Sequence, residues 1–150
     1  MMTTLVHGLP LPSLLVALIA QNRWQHPGDT RMHTMLPWIG DPLDLVVDFQ
    51  RPAFGGDCSK RARIARDVGF MHLAWGSLAP QPVRLPWIDL EQTVWIMVNR
   101  EVGDDQGVAL DYRTSLRDPR VIASHWMVKT ACCWREVAPT FSAFVRQLGL

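Results

Sequence analysis

The last third of the chain has the clearest pattern of apolar residues, and this pattern constrains the fold most. Three segments have the composition of β-strands: the continuous apolar run 94–98, the alternating segment 107–113 and the β-branched segment 121–126. After Pro139 the spacing of apolar residues becomes helical. Four large apolar residues then fall at i, i+3, i+4 and i+7: Phe141, Phe144, Val145 and Leu148. The sequence therefore predicts three strands and a closing helix that packs on the sheet.

Two helices have recognisable ends in the sequence. Gly149 stands at the position after the closing helix where a left-handed residue is common, and the apolar Leu150 follows it. Pro12 lies near the first turn of a predicted N-terminal helix, which residues 21–22 end. Its expected buried stripe consists of Leu14, Leu15, Leu18 and Ile19.

The composition fits one globular domain over residues 1–150. The chain is 48% hydrophobic and 19% charged, which is enough apolar content for one core. Fifteen Lys and Arg residues against fourteen Asp and Glu residues give a net charge of +1, which selects no partner by charge. A basic helix is predicted over residues 59–67, but no interleaved aromatic residues or glycine-rich phosphate loop accompany it. Nucleic-acid binding is therefore not expected.

The cysteines and the N-terminal apolar run indicate a cytoplasmic protein without a membrane partner. Three cysteines are an odd number, and they form neither a disulfide framework nor a CxxC zinc motif. The apolar run 14–20 has no basic residue before it, and seven residues cannot span a bilayer. We expect no secretory signal and no bound cofactor.

Residues 23–40 carry two prolines and two glycines among polar residues, which predicts a long irregular connection. Within it, His26, Asp29 and His33 are near enough in sequence to hold a metal ion. A small metal-dependent hydrolase is therefore one alternative for the function. The competing interpretation is that these polar side chains only cap and turn the loop, so no metal site is expected.

A second set of carboxylates follows directly. Asp41 and Pro42 have the pattern of a helix start, and they predict a helix over residues 43–50. On such a helix Asp41, Asp44 and Asp48 would lie close together and could hold a divalent ion. The same spacing is typical of a solvated, capped helix face.

No catalytic motif is recognisable elsewhere in the sequence. The chain has no GxSxG, no HExxH and no glycine-rich phosphate loop. The adjacent Cys132 and Cys133 lack a nucleophile context, and His125 lies within a predicted strand. A non-catalytic protein is therefore expected.

Tryptophans and an acidic turn are the candidates for partner binding. Three of the seven Trp residues lie in segments bounded by proline, where an indole either fills the edge of the core or faces a partner. Between the first two predicted strands lies an acidic turn. The predicted partner-binding residues are Trp24, Trp38, Trp87, Glu101, Asp104 and Asp105.

The order of segments resembles the SUKH superfamily, which contains fungal cell-wall-synthesis regulators and bacterial toxin-immunity proteins. The segments GVALDYR (107–113), PRVI (119–122) and WREVAPTFSAFV (134–145) follow an apolar strand and an acidic turn. The opening LPLP (9–12), with a helix that ends at residues 21–22, is also similar to the family.

This resemblance implies an α+β fold with a mostly antiparallel sheet and helices packed on one face and at the ends. It also implies a single SUKH-like domain that binds and neutralises a cognate toxin. The nearly neutral charge leaves the chemistry of that toxin open. A regulatory scaffold protein that uses the same surface without a toxin is a further alternative.

Overall fold

The structure is a computed structural model, and it describes residues 5–6, 8–40, 42–46, 49, 92–99, 107–128 and 131–150. Elements are numbered over these residues. The strands are β1 (Leu5–Val6), β2 (Leu9–Pro10), β3 (Leu43–Leu45), β4 (Thr93–Asn99), β5 (Gly107–Asp111), β6 (Arg120–Val128) and β7 (Ala131–Ala138). The helices are α1 (Ser13–Ala20), α2 (Asp29–Met35) and α3 (Phe141–Leu148).

Five strands form one antiparallel sheet in the order β3-β4-β5-β6-β7, and β1 pairs with β2 in a separate hairpin. Every neighbouring pair in the larger sheet is antiparallel. With three helices beside these sheets in the described residues, the fold belongs to the α+β class, as predicted. The predicted strands over 94–98, 107–113 and 121–126 are confirmed as β4, β5 and β6.

The central strands are buried on both faces, which explains their nearly continuous apolar sequences. Every residue of β5 is buried, and β4 buries each residue from Thr93 to Val98. Close packing also explains Gly107, because a Cβ added there would lie 2.9 Å from the Trp95 ring. Any larger residue at this position would push the indole or the neighbouring strand away.

Strand β7 is a fourth strand in the last third of the chain, where the sequence predicts three. Its sequence, ACCWREVA, alternates imperfectly between polar and apolar residues. The pairing of β7 with β6 shifts register between Val121 and Ile122 and between Trp126 and Val128. A strand that pairs through two irregularities lacks a clean period of two, so its pattern is weak in the sequence.

Helix α3 and its predicted C-terminal end are confirmed, and its first turn is also capped. The Thr140 side chain accepts a hydrogen bond from the Ala143 backbone N–H at 3.1 Å, which caps the first turn. Gly149 has a φ of 79°, and Leu150 packs against the core, as expected for a left-handed C-terminal cap. The predicted stripe is buried: Phe141, Phe144, Val145 and Leu148.

Two predictions for the first half of the chain are wrong. Residues 23–40 contain helix α2, which the glycines and prolines obscured although Met32, Leu36 and Ile39 have helical spacing and are buried. Residues 43–45 form strand β3, not the start of a helix over 43–50. Pairing with β4, which lies about fifty residues later in sequence, overrides the local Asp-Pro helix signal.

The predicted N-terminal helix is confirmed as α1, but its buried face is narrower than the predicted stripe. Leu15 and Leu18 are buried, whereas Leu14 is 37% exposed rather than part of the stripe. Asn22 ends this region with a φ of 57°. None of the helices in the described ranges is long and apolar enough to cross a membrane.

Candidate partner-binding surface

Trp24 lies in the core rather than on a surface. Its side chain is 4% exposed, and its indole N–H donates a hydrogen bond to the Val46 carbonyl oxygen at 2.9 Å. The ring lies 5.9 Å from the ring of Phe141, measured between centroids. Trp24 therefore joins the segment after α1 to helix α3, and in this conformation it presents no contact area to a partner.

Trp38 lies at the surface and contacts the outermost two strands. The ring is half-buried, and its N–H donates a hydrogen bond to the Ser124 carbonyl oxygen at 2.9 Å. The Arg135 guanidinium carbon lies 4.3 Å from the indole centroid, within the range of a cation–π contact. The His125 ring centroid lies 5.7 Å away. We call Trp38, His125 and Arg135 the Trp38 cluster.

The register of β6 and β7 explains why these side chains meet. Ala123 and His125 are two residues apart on β6, so they project from the same face of the sheet. Arg135 on β7 pairs with Ala123 and therefore shares that face. Trp38, in the turn after α2, lies over the same face. Because β7 pairs only with β6 among the described strands, the cluster stands at an edge of the sheet.

Arg135 supplies the positive charge of the cluster. Partial burial and the adjacent Arg135 charge lower the pKa of His125 below its ordinary value of 6.5. His125 is therefore neutral near pH 7. Its Nδ1 lies 3.4 Å from an Arg135 guanidinium nitrogen, which can only donate. The cluster thus combines one half-buried indole, one neutral imidazole and one exposed guanidinium.

A pocket of about 300 Å³ lies between α2 and β3. Five of its eight lining residues are apolar, and Asp29 and His33 stand one helical turn apart at its edge. We call this cavity the α2 pocket. Its lining residues are Asp29, Met32, His33, Leu36, Ile39, Gly40, Pro42 and Leu43.

The predicted metal ligands do not form a metal site in the part of the chain that the structure describes. There, no group of three or more His, Cys, Asp or Glu side chains is close enough to hold an ion. His26 Nδ1 accepts a hydrogen bond from the Gly28 N–H at 2.9 Å, and its Nε2 lies 3.6 Å from Asp29 Oδ1. His33 instead lines the α2 pocket.

The second carboxylate set is only partly described. Asp44 lies on strand β3, so the helical spacing on which that ion site depended is absent at this residue. Asp41 and Asp48 lie outside the described residues. The predicted binding residues Trp87, Glu101, Asp104 and Asp105 also lie outside them.

A buried ion network at the end of β5 is a feature that sequence reasoning missed. Asp111 is fully buried, and its carboxylate oxygens lie 2.8 Å from Arg113 Nε and 2.7 Å from Arg120 Nη2. Arg120 also lies 3.8 Å from Glu136. Burial alone would raise the pKa of Asp111, but hydrogen bonds from Arg113 and Arg120 and the charge of Arg113 bring it below its ordinary value of 3.8.

This network has a structural role rather than a binding role. By the pairing register, Arg120, Ile122 and Glu136 share one face of the sheet, opposite His125 and Arg135. Asp111 also accepts a hydrogen bond from the Arg113 backbone N–H at 3.1 Å, which fixes the turn after β5. The Asp111 carboxylate is thus fully engaged by its own chain.

Comparisons with protein-family models, curated proteins and solved structures found no match to this chain.

Proposed function

We propose that this chain is a non-catalytic protein-binding module that acts in the cytoplasm as an immunity protein, binding and neutralising a cognate toxin. The observation that carries the proposal is the Trp38 cluster, with its half-buried indole under an exposed guanidinium. Trp and Arg are among the residue types most enriched at the energetic centres of protein interfaces. The resemblance of residues 94–150 to the SUKH superfamily supports the immunity role.

The cluster is held in place before any partner arrives. The hydrogen bond from Trp38 to the Ser124 carbonyl oxygen fixes the indole on the sheet. Contacts with the indole and with His125 in turn restrict the Arg135 side chain. Prior fixation lowers the conformational entropy that side chains lose on binding, so more of the contact energy becomes affinity.

The positive charge of the Trp38 cluster indicates the chemistry of the toxin surface that binds it. The Arg135 guanidinium lies over the indole, and one of its nitrogens contacts His125. Its remaining N–H groups match the two oxygens of a carboxylate. With His125 neutral, no second positive charge from the cluster competes at pH 7. The expected partner surface therefore carries an Asp or Glu beside an apolar contact for Trp38.

Coexpression with the product of the adjacent gene tests the proposal. We expect that product to arrest growth alone, and the wild-type chain to restore growth and form a complex measurable by calorimetry. The Arg135→Ala variant should weaken the complex by roughly 30-fold or more, as hot-spot truncations do. Arg146→Ala, an exposed arginine on α3, is the matched control and should leave the affinity unchanged.

Two outcomes would overturn the proposal. One is an adjacent gene whose product neither arrests growth nor binds this chain. The other is equal affinity of wild type, Arg135→Ala and Arg146→Ala for a toxin that does bind, because the Trp38 cluster would then contribute nothing.

A further inference from the structure

We infer that the α2 pocket is an anchor site that takes one aliphatic or aromatic side chain of a protein partner, flanked in the partner by a Lys or Arg. The inference rests on the proposed function, since it names a second contact of the same binding module. It differs from the Trp38 cluster in the side chains used and in the charge that they recognise.

The size and lining of the pocket fit one apolar side chain. About 300 Å³ is at the lower end of the range for ligand pockets, and five of the eight lining residues are apolar. Met32, Leu36 and Leu43 are themselves buried, so the pocket is a depression in packed core rather than a gap between loose side chains. Interface anchors gain most of their energy in such pockets, because there they are fully removed from water.

The polar edge of the pocket selects the charge of the flanking residue. Asp29 brings a carboxylate to this edge, and its side chain is 69% exposed. The nearby His26 accepts the Gly28 N–H through Nδ1, so in its neutral form its remaining hydrogen lies on Nε2, facing Asp29. A carboxylate at the edge of an apolar pocket complements an ammonium or guanidinium next to the anchor.

The pocket is also pre-formed. Leu36 N–H donates to the Met32 carbonyl oxygen at 2.8 Å, and Ile39 N–H donates to the Leu36 carbonyl oxygen at 3.0 Å. Arg31 donates to the Gln147 carbonyl oxygen at 3.1 Å, which ties α2 to α3. These bonds hold the walls in place, so binding needs little rearrangement.

The pocket is continuous with the Trp38 cluster through one stretch of chain. Residues 36–40 supply three pocket-lining residues, Leu36, Ile39 and Gly40, and they also supply Trp38. A partner that places an anchor in the pocket can therefore reach the cluster with an adjacent part of its surface. The two sites require opposite charges on the partner, which makes the combined surface selective in orientation.

Capped dipeptides test the pocket without any toxin. The probes are N-acetyl-Leu-Lys-amide, N-acetyl-Leu-Gln-amide and N-acetyl-Leu-Glu-amide, titrated into the full chain with ¹³C-methyl-labelled methionine. We expect the Met32 methyl resonance to shift on titration, with the Lys probe bound roughly two- to fivefold more tightly than the Gln probe and the Glu probe weakest.

Two variants separate the apolar and charged contributions. Asp29→Asn keeps the shape of an exposed side chain, and it should make the Lys and Gln probes bind equally. A Cβ at Gly40 meets no atom within 4 Å, so Gly40→Leu should be accommodated without a clash. Because Gly40 lines the pocket, the added side chain should compete with the anchor and weaken all three probes by about tenfold or more. If Gly40→Leu fails to fold, Asp29→Asn alone decides the test.

The inference is overturned if Met32 does not respond to any probe, or if Asp29→Asn leaves the preference for Lys intact. Its failure is distinguishable from failure of the immunity role. Suppose that a toxin binds less tightly to Arg135→Ala but equally well to Asp29→Asn and Gly40→Leu. That result would contradict the role of the α2 pocket and support the immunity function. Conversely, probes that bind as expected to a chain for which no toxin is found would support the pocket and contradict the immunity function.

Discussion

The unit from β4 to α3 and the segment from α2 to β3 are built in different ways. The first buries nearly every residue of β4 and β5, and its side chains pack against neighbours that follow within a few dozen residues. The second is a short helix, a turn and a three-residue strand held by contacts with distant parts of the chain, such as Trp38 with Ser124. The first region determines the fold and supplies His125 and Arg135 of the Trp38 cluster, whereas the second supplies Trp38 and the whole lining of the α2 pocket.

The largest expected effect concerns α3, which closes the better-packed region. Phe144 is fully buried, so Phe144→Ala should lower the free energy of unfolding by about 3–5 kcal/mol through lost burial and a residual cavity. Chemical denaturation measures this change, with Gln147→Ala on the exposed side of α3 as the control. A loss below about 1 kcal/mol would show that α3 does not anchor the sheet.

Asp111→Asn tests the ion network of the same region. The change leaves Arg113 and Arg120 without their buried charge partner, which should cost about 3 kcal/mol. The effect should also depend on pH. Because the pKa of Asp111 is lowered in the folded state, its stabilisation is complete above about pH 4 and is lost as the pH falls through the folded-state value.

Denaturation at several pH values between about 5 and 2 therefore compares the two proteins. Wild type should lose stability toward acid, and Asp111→Asn should lose less because it lacks this carboxylate. Parallel pH profiles for the two proteins would mean that Asp111 contributes no acid sensitivity, contrary to its placement between two guanidinium groups.

Trp24→Phe tests the join between the two regions. The variant keeps an aromatic ring near Phe141 but removes the N–H that donates to the Val46 carbonyl oxygen. We expect a loss of about 2 kcal/mol from the smaller ring and the broken hydrogen bond. Thermal unfolding gives the measurement, and unchanged stability would indicate that the segment from α2 to β3 is not coupled to α3 through this indole.

Tyr112→Phe should have the smallest of these effects. The Tyr112 hydroxyl donates to the Pro10 carbonyl oxygen at 2.7 Å and so connects the end of β5 to the N-terminal hairpin. Its removal should cost about 1 kcal/mol, the usual net contribution of one hydrogen bond. A loss several times larger would mean that the hairpin depends on this single bond.

The contrast between these two regions also explains which elements the sequence predicts and which it does not. Strands β4, β5 and β6 and helix α3 were predictable because each has a strong local period or a continuous apolar run. Helix α2 begins after Gly28 and is seven residues long, so its helical spacing was concealed by loop-forming neighbours. Strand β3 exists because it pairs with β4, a contact that no local window of sequence contains.

The candidate site was predicted less completely than the fold. Trp38 was among the predicted binding residues, but its partners His125 and Arg135 lie 87 and 97 positions later in the chain. Trp24 has the same residue type in a buried position. Sequence composition identifies the residue types that serve interfaces. Register and burial decide which of them meet at a surface, and both depend on long-range contacts.

Hydrogen exchange on the complex with the adjacent gene's product tests the central claim most directly. We predict slower amide exchange in residues 36–40 and 134–136 when the partner binds, with residues 141–148 of α3 unchanged. Protection confined to other parts of the chain, in a complex that forms, would contradict the assignment of the binding surface to the Trp38 cluster.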